Sequence, residues 1–205
     1  MIRDNMKTDP LFTKIYNDKI LKKIEKRFGP FVEQHADLTA SGQVMLSMVE
    51  KMAGKGRRGE VVMVVPNQQG QLWLHTKSFY PPGIFRLMTG GLEGDEKPHK
   101  AMLREVEEET GFNTKIDRCL AVITYTFSGN GLVIPFVSYV FLTQPTTGRP
   151  SPTDPNEAIT EFRAVMVEDL AETAQQLRSI EGRFSDWGVF RAIAHELARE
   201  QLLTA

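Results

Sequence analysis

The stretch from Gly90 to Phe112, GGLEGDEKPHKAMLREVEEETGF, constrains this 205-residue chain more than any other part of it. Residues 101–110 are good helix formers, and Gly111 follows them where a helix can end in a left-handed residue. Pro98 precedes them at a position of the first turn that tolerates proline. The sequence therefore predicts a glycine-rich loop that leads directly into a helix.

Glutamates recur on one side of this predicted helix. With about 100° of rotation per residue, Glu108 and Glu109 lie on the same narrow stripe as Glu105, whereas Glu107 points almost the opposite way. Like charges at this spacing weaken a helix, so a cation is expected among them. Hard divalent cations take oxygen ligands, and Mg²⁺ is held by one or two carboxylates together with substrate phosphates. A solvated acidic helix face is the alternative interpretation.

The residues around the stripe favour a binding site over a solvated face. Gly90 and Gly91 permit a tight turn and a close backbone approach to a ligand, and Glu96 follows at a short distance. Arg104 is four residues before Glu108 and eight after Glu96. Its planar guanidinium can therefore hold both carboxylates in place.

At every defined position this spacing resembles the signature of the Nudix hydrolases, enzymes that cleave diphosphate bonds in nucleotide-like molecules. The resemblance covers about residues 58–180 and implies an α/β fold, the Nudix-type α/β/α sandwich with a mixed sheet. It implies that Glu105, Glu108 and Glu109 bind the metal, with help from a backbone carbonyl near Thr89. The implied cofactor is Mg²⁺, with Mn²⁺ as a substitute.

The resemblance also implies a reaction, the metal-assisted attack of water on phosphorus. Its catalytic residues here would be Glu105, Glu108 and Arg104. The catalytic base varies in the family and is often a motif glutamate, or else a glutamate of a later loop. Glu157 is the candidate for this second role, with Glu161 beside it, and a solvated loop carboxylate is the alternative.

Substrate contacts are predicted at the mouth of the glycine loop. Four residues are assigned to substrate binding: Arg86, Gly90, Gly91 and Glu96. For Arg86, a surface arginine paired with an acid is the alternative. The motif does not define the groups attached to the diphosphate, and the family accepts substrates from nucleotide sugars to capped RNA. We favour substrates of the ADP-ribose or nucleotide-sugar type.

Four other side chains have a structural or a functional interpretation. His75 alternates with Leu72 and Leu74, so it points away from their face, and we predict a surface or edge histidine rather than a catalytic one. Phe79 and Tyr80 either stack on a base or anchor a loop. Cys119 is predicted to be a small buried hydrophobe.

The chain divides into a helical N-terminal extension, residues 1–57, and a Nudix domain with a C-terminal helix, residues 58–205. A helical apolar period runs from about residue 10 to residue 28, and a second helix is predicted over 41–53. Basic residues outnumber acidic ones in this extension. They form either a solvated helix face or a surface that attracts polyanions. A homodimer through these helices is expected, with Met45, Met48 and Met52 as candidate contacts.

Strand patterns follow the extension. The predicted strands are residues 60–65, 71–75, 84–88, 118–127, 132–142 and 162–166, and a helix over 167–179 precedes a last helix capped by Ser185 or Asp186. The turn from residue 128 to residue 131 predicts a hairpin. Pro135 in its second strand indicates a bulge or an edge position.

Composition narrows the class of protein. Apolar residues make up 41% and charged residues 25%, an ordinary globular balance. The first residues lack an apolar signal region, and no apolar run approaches the length of a membrane span. Cys119 is the only cysteine, which excludes an internal disulfide. We therefore expect a cytoplasmic protein with no membrane partner.

Two functions of different classes fit these observations. The first is a hydrolase of a small nucleotide-like substrate. The second is a non-catalytic Nudix domain that senses a ligand within a regulator, with the basic N-terminal helices on DNA or a partner. Binding-only Nudix domains often lose motif glutamates, and all are present here. The extension also lacks a clear helix-turn-helix pattern, so we expect no nucleic-acid partner.

Overall fold

A computed structural model describes residues 8–204 of the chain. Its N-terminal part contains three helices and one strand: α1 (Pro10–Ile15), α2 (Asp18–Phe28), β1 (Val32–Thr39) and α3 (Gln43–Lys55). Six strands and three helices follow: β2 (Gly59–Val64), β3 (Leu72–Lys77), β4 (Met88–Gly91), α4 (Pro98–Thr110), β5 (Ile116–Gly129), β6 (Leu132–Thr143), β7 (Ile159–Val165), α5 (Leu170–Arg178) and α6 (Ser185–Leu203). Short 3₁₀ turns span Pro155–Glu157 and Gly182–Phe184.

Five strands form a mixed sheet in the order β1-β5-β6-β2-β4. The pairs β1–β5 and β2–β6 are parallel, whereas β5–β6 and β2–β4 are antiparallel. Strands β3 and β7 form a second, antiparallel sheet of two strands. The predicted α/β class with a mixed sheet is therefore confirmed.

Helices cover both faces of the five-stranded sheet. Alternate residues of β2 face opposite ways because successive side chains of a strand alternate. Val62 and Val64 belong to a core cluster with α3 and α6, while Val61 and Met63 belong to a second cluster with α1, α2 and α4. This arrangement is the α/β/α sandwich. One face of α4 packs against the sheet, so its acidic stripe is left for a functional site.

The N-terminal extension differs from the prediction in two ways. Strand β1 lies in a segment where we predicted no strand, and it pairs with β5 from Val32 opposite Ala121 onward. The extension is therefore not purely helical. In addition, the single helix predicted over residues 10–28 is two helices, because Asn17 accepts a hydrogen bond from Ile20 N at 3.1 Å and starts α2. The division of the chain after residue 57 stays a prediction.

The methionine stripe of α3 belongs to the core of the chain itself. Met45 and Met52 are buried, and Met48 packs against the same cluster. The expectation that these side chains contact a second copy is therefore not supported, since burial within one chain already accounts for them. The homodimer stays a prediction.

Several local predictions agree with the structure. Cys119 is buried, and the hairpin turns at Asn130 and Gly131, both with positive φ. Pro135 lies opposite Thr126 of β5, two residues before the pairing of β6 with β2 begins. That position is edge-like, in agreement with one of the two alternatives. None of the helices within residues 8–204 combines the length and the apolar character that a membrane crossing requires.

Candidate active site

Helix α4 carries the acidic stripe, and its boundaries follow from local chemistry. Pro98 is its first residue, and Gly111 ends it with φ of 69°. An added Cβ at Gly111 would lie 2.8 Å from the Ser151 carbonyl oxygen, so a glycine is needed there. Met102 and Val106 are fully buried in the core. Glu107 lies on the other side of the helix and is exposed to solvent, as its position in the sequence predicts.

Arg104 is the centre of a network that contains three glutamates. Its guanidinium donates to Glu96 Oε2 at 2.8 Å, to Glu105 Oε1 at 2.9 Å and to Glu108 Oε2 at 2.9 Å. A further bond of 3.0 Å reaches the Gly91 carbonyl oxygen. The hydrogen bonds from Arg104 lower the pKa of Glu96. One planar cation therefore ties the glycine loop to the helix.

The loop after β6 is held against the C-terminal end of α4. Ser151 N donates to Thr110 O at 2.9 Å, and Thr153 N donates to Glu108 O at 2.9 Å. These bonds satisfy carbonyl groups that the last turn of a helix leaves without partners. The short 3₁₀ turn that follows ends at Glu157. The loop therefore places the carboxylate of Glu157, which is distant in the sequence, next to α4.

Glu105, Glu109 and Glu157 form a compact carboxylate cluster. Each offers an oxygen, and these oxygens lie within 4.8 Å of one another. Glu105 lies directly against the backbone of Gly90, where an added Cβ would be 1.8 Å from the Glu105 carboxyl carbon. Gly90 is therefore required by the close approach of a carboxylate. Burial raises the pKa of Glu105, against the opposing charge of Arg104.

Lys77 of β3 supplies the second cation of the site. Its Nζ donates to Glu109 Oε1 at 3.0 Å and to Glu157 Oε2 at 2.5 Å. Burial raises the pKa of Glu109 to about 8, although the charges of Lys77 and Arg86 oppose the shift. Burial alone would raise the pKa of Glu157, but the hydrogen bonds with Lys77 and Glu109 and the charge of Lys77 together lower it. Glu157 is thus the carboxylate of this pair that stays ionised at neutral pH.

The cluster fits a hard divalent cation. Glu109 Oε2 is fully buried and has no hydrogen-bond partner among residues 8–204. A buried carboxylate oxygen left in this state is costly, and a metal ion is the partner that oxygen atoms of this kind take. Glu105 and Glu157 each offer a further oxygen atom at a distance that suits one shared cation. The donor set is all carboxylate, which suits Mg²⁺ or Mn²⁺ rather than a soft metal.

The predicted metal ligands are only partly brought together. Glu105 and Glu109 are in the cluster, but Glu108 lies outside it on Arg104 and has a side chain that is 36% exposed. Thr89 lies in β4 opposite Val62, next to Gly90. The metal-binding roles of Glu108 and of the Thr89 carbonyl stay predictions.

Arg86 contradicts one of its two predicted alternatives, the surface arginine paired with an acid. It is 4% exposed, so it is not a surface arginine. Its guanidinium donates to the Tyr80 hydroxyl at 2.8 Å, to Leu87 O at 2.7 Å and to Thr89 Oγ1 at 3.1 Å. It also stacks over the rings of Tyr80 and Trp187. Arg86 holds the strand entry to the glycine loop, and its contact with substrate stays a prediction, as it does for Gly90, Gly91 and Glu96.

His75 and Lys77 are the residues of the site that the sequence did not indicate. We predicted His75 at the surface, but it is fully buried, with Nδ1 at 3.4 Å from Glu109 Oε2. The prediction was wrong because β3 is buried on both faces. Trp73 shares the face of His75 and Lys77 by strand alternation. That large apolar side chain was the signal that the second face is also covered.

The aromatic pair before the glycine loop is divided between two roles. Tyr80 packs against Trp187 and His75 and receives the hydrogen bonds of Arg86, so it anchors the loop. Phe79 is 57% exposed. Of the two, only Phe79 is free to stack on a ligand.

The sequence of the chain matches the model of the NUDIX domain over residues 56–188, which is more than half of its length. The chain therefore belongs to the NUDIX family. It is an enzyme of the pyrophosphohydrolase class, with every glutamate of the motif in place.

Solved structures are similar to this chain at low sequence identity. A MutT protein from Methanosarcina mazei is 19% identical, with a TM-score of 0.48 over 70% of this chain and 94% of that one. An Ap4A hydrolase from C. elegans is 15% identical, with a TM-score of 0.49 over 72% and 99%. An ADP-ribose pyrophosphatase from Streptococcus suis is 13% identical, with a TM-score of 0.44 over 70% and 90%. The comparison with curated proteins found no match.

Proposed function

We propose that the protein hydrolyses a diphosphate linkage in a nucleoside diphosphate derivative, with Mg²⁺ as its cofactor and Mn²⁺ as a substitute. The observation that carries this proposal is the cluster of Glu105, Glu109 and Glu157. In the reaction, the oxygen of water forms a bond to one phosphorus as the bond from that phosphorus to the bridging oxygen breaks. Both products then end in a phosphate group.

The carboxylates of the cluster would hold the cation, with Glu108 and the Thr89 carbonyl as further candidate ligands. A bound divalent cation offsets charge on phosphate oxygens and lowers the pKa of water. The protein contributes the placement of these ligands. Arg104 keeps Glu105 against Gly90, and its bonds to Glu96 fix the loop in front of the helix.

Glu157 is the candidate catalytic base. Its side chain is 23% exposed, whereas that of Glu109 is fully buried, so Glu157 lies at the accessible rim of the cluster. The hydrogen bond from Lys77 keeps it ionised. An ionised carboxylate at this rim can accept the proton that the attacking water releases.

For the rest of the substrate we favour ADP-ribose or a nucleotide sugar, a preference that rests on the family resemblance. Phe79 is exposed beside the anchored Tyr80 and is the candidate to stack on a base. A cytoplasmic location and a homodimer belong to the same proposal.

The test is phosphate release from a panel of nucleotide derivatives, coupled to a phosphatase, with and without Mg²⁺. We expect turnover that requires the metal and falls at least about 100-fold in Glu109→Gln. Glu107→Gln is the matched control, since it removes an exposed carboxylate of the same helix, and its activity should equal that of the wild type. Absence of turnover on every compound, with retained ligand binding, would favour the sensor function.

A further inference from the structure

A cavity separate from the carboxylate cluster lies between the N-terminal helices and the loop that enters α4. Its volume is about 470 Å³. Its rim is basic and comes from both sides of the gap: Lys14 of α1, Lys23 and Arg27 of α2, and Lys97 and His99 at the start of α4. The extension thus builds this cavity jointly with the Nudix motif. We call it the extension cavity.

The acidic residues of the extension cavity already have partners. Asp95 lies 3.8 Å from Lys14 Nζ, and Glu96 binds Arg104 at 2.8 Å. Within residues 8–204, by contrast, no ion pair engages Lys23 or Lys97. The rim therefore carries an excess of positive charge.

His99 lies among the same positive charges and carries none itself. Arg27 donates to His99 Nε2 at 3.1 Å, which is possible only with an unprotonated ring nitrogen. Burial lowers the pKa of His99, and the charges of Arg27, Lys100 and Lys97 lower it further. In addition, Lys97 gives the first turn of α4 no side-chain cap. The helix dipole adds to the positive potential at that end.

The floor of the extension cavity is apolar. It is formed by Ile20, Ile24 and Phe28 of α2. Ile20 is half-buried and offers hydrocarbon to a ligand, whereas Ile24 and Phe28 close the floor beneath it. A ligand in this cavity would therefore meet cations at the rim and hydrocarbon below them. Free phosphate satisfies only the first environment, whereas an organic phosphate satisfies both.

We propose that the extension cavity is a binding site for an organic phosphate, with its phosphate on Lys23, Arg27 and Lys97 and its apolar part on the floor. The site is distinct from the carboxylate cluster and does not depend on hydrolysis. It is coupled to the motif, because Glu96 lines the cavity and accepts two hydrogen bonds from Arg104. A ligand here would thus lie next to the network that holds Glu105.

The experiment is calorimetric titration of the full chain with AMP at low salt. EDTA is present, so that the phosphate cannot bind through a divalent metal. The double variant Lys23→Gln/Arg27→Gln should bind AMP at least about tenfold more weakly. The matched control is Lys22→Gln/Lys26→Gln, which removes two exposed charges of the same helix that do not line the cavity. We expect its affinity to stay within about twofold of the wild type.

Four results would overturn the proposal: no saturable binding of AMP to the wild type, equal losses in the two double variants, affinity for inorganic phosphate as high as for AMP, or loss of AMP binding in Glu105→Gln. The last result would place AMP at the carboxylates instead. Retained AMP binding in an enzyme that shows no turnover would refute the proposed hydrolase and leave this site standing.

Discussion

The ammonium group of Lys77 lies 3.0 Å from Glu109 Oε1, inside the cluster that is expected to bind a divalent cation. It also reaches Glu157, so it joins two of the three clustered carboxylates. Arg104 holds the third, Glu105. Each carboxylate of the cluster thus has a basic partner from the chain itself, and the site can fold before a metal arrives.

Replacement of Lys77 by methionine tests this arrangement. The variant keeps the length of the side chain but leaves Glu109 buried without a cation. We expect the free energy of unfolding in EDTA to fall by about 1–3 kcal/mol, and saturating Mg²⁺ to recover part of the loss. Urea denaturation with and without the metal measures both. Lys100→Met removes an exposed lysine and should leave the stability unchanged; an equal loss there would refute the explanation.

Gly90→Ala tests the contact between the glycine loop and Glu105. The new Cβ would overlap the carboxylate, which lies 1.8 Å from its ideal position, so Glu105 must move. We predict that Mn²⁺ affinity, measured by calorimetry, falls at least about tenfold. Gly54→Ala is the control, since its Cβ position has no atom within 4 Å among the described residues beyond its chain neighbours and its own helix backbone. Unchanged affinity in Gly90→Ala would show that Glu105 is not a ligand.

Arg104→Lys tests whether the geometry of the guanidinium matters beyond its charge. A lysine cannot reproduce the fork that reaches Glu96, Glu105 and Glu108 together. We expect kcat to fall about 10- to 100-fold. Arg178→Lys changes a bidentate pair with Glu196 on the surface and should have no effect on kcat. Full activity in Arg104→Lys would show that only the positive charge of Arg104 matters, and not the geometry of its guanidinium group.

His195 should make the stability depend on pH. Its Nε2 accepts a hydrogen bond from Leu87 N at 2.8 Å, and burial lowers its pKa to about 3, against a hydrogen bond to Arg191 O that raises it. In the unfolded chain His195 therefore binds a proton near pH 6.5, whereas in the folded chain it binds one only near pH 3. The contribution of neutral His195 to the free energy of unfolding is fully present above this pH range. It decreases as the pH falls through the range, by up to about 1.4 kcal/mol per pH unit.

Urea denaturation of the wild type and His195→Gln at pH 7.5, 5.5 and 4.5, values chosen to span about this window, isolates the effect. Comparison with the variant removes the pH dependence that the two proteins share. The wild type should therefore lose its advantage over the variant as the solution becomes acidic. Parallel pH profiles would contradict a neutral, buried His195.

Local chemistry made parts of this molecule predictable. The ends of α4 follow from Pro98 and Gly111, and the hairpin between β5 and β6 follows from its turn residues. The bonds from Arg104 to Glu96 and Glu108 follow from spacing along a loop and a helix. In each case the partners lie within a few turns of chain, where periodicity determines what can meet.

The remaining parts depend on contacts between distant segments. Lys77 meets Glu157 across 80 residues, and no local pattern specifies that pairing. His75 was misplaced because its strand is covered on both sides. Strand β1 was not predicted because five of its eight residues are polar or charged. That composition suits the edge of a sheet, and only the pairing with β5 makes the segment a strand.

The pairing of β1 with β5 also affects how the chain is made. Thr39 meets Ser128 across 89 residues, and within residues 8–204 β1 has no other strand partner. During synthesis, the N-terminal strand must therefore wait for most of the Nudix motif and for β5 before it can dock. A chain that is interrupted before β5 lacks the partner of β1 and leaves that strand unpaired. The order of synthesis makes early truncation products of this enzyme prone to aggregate.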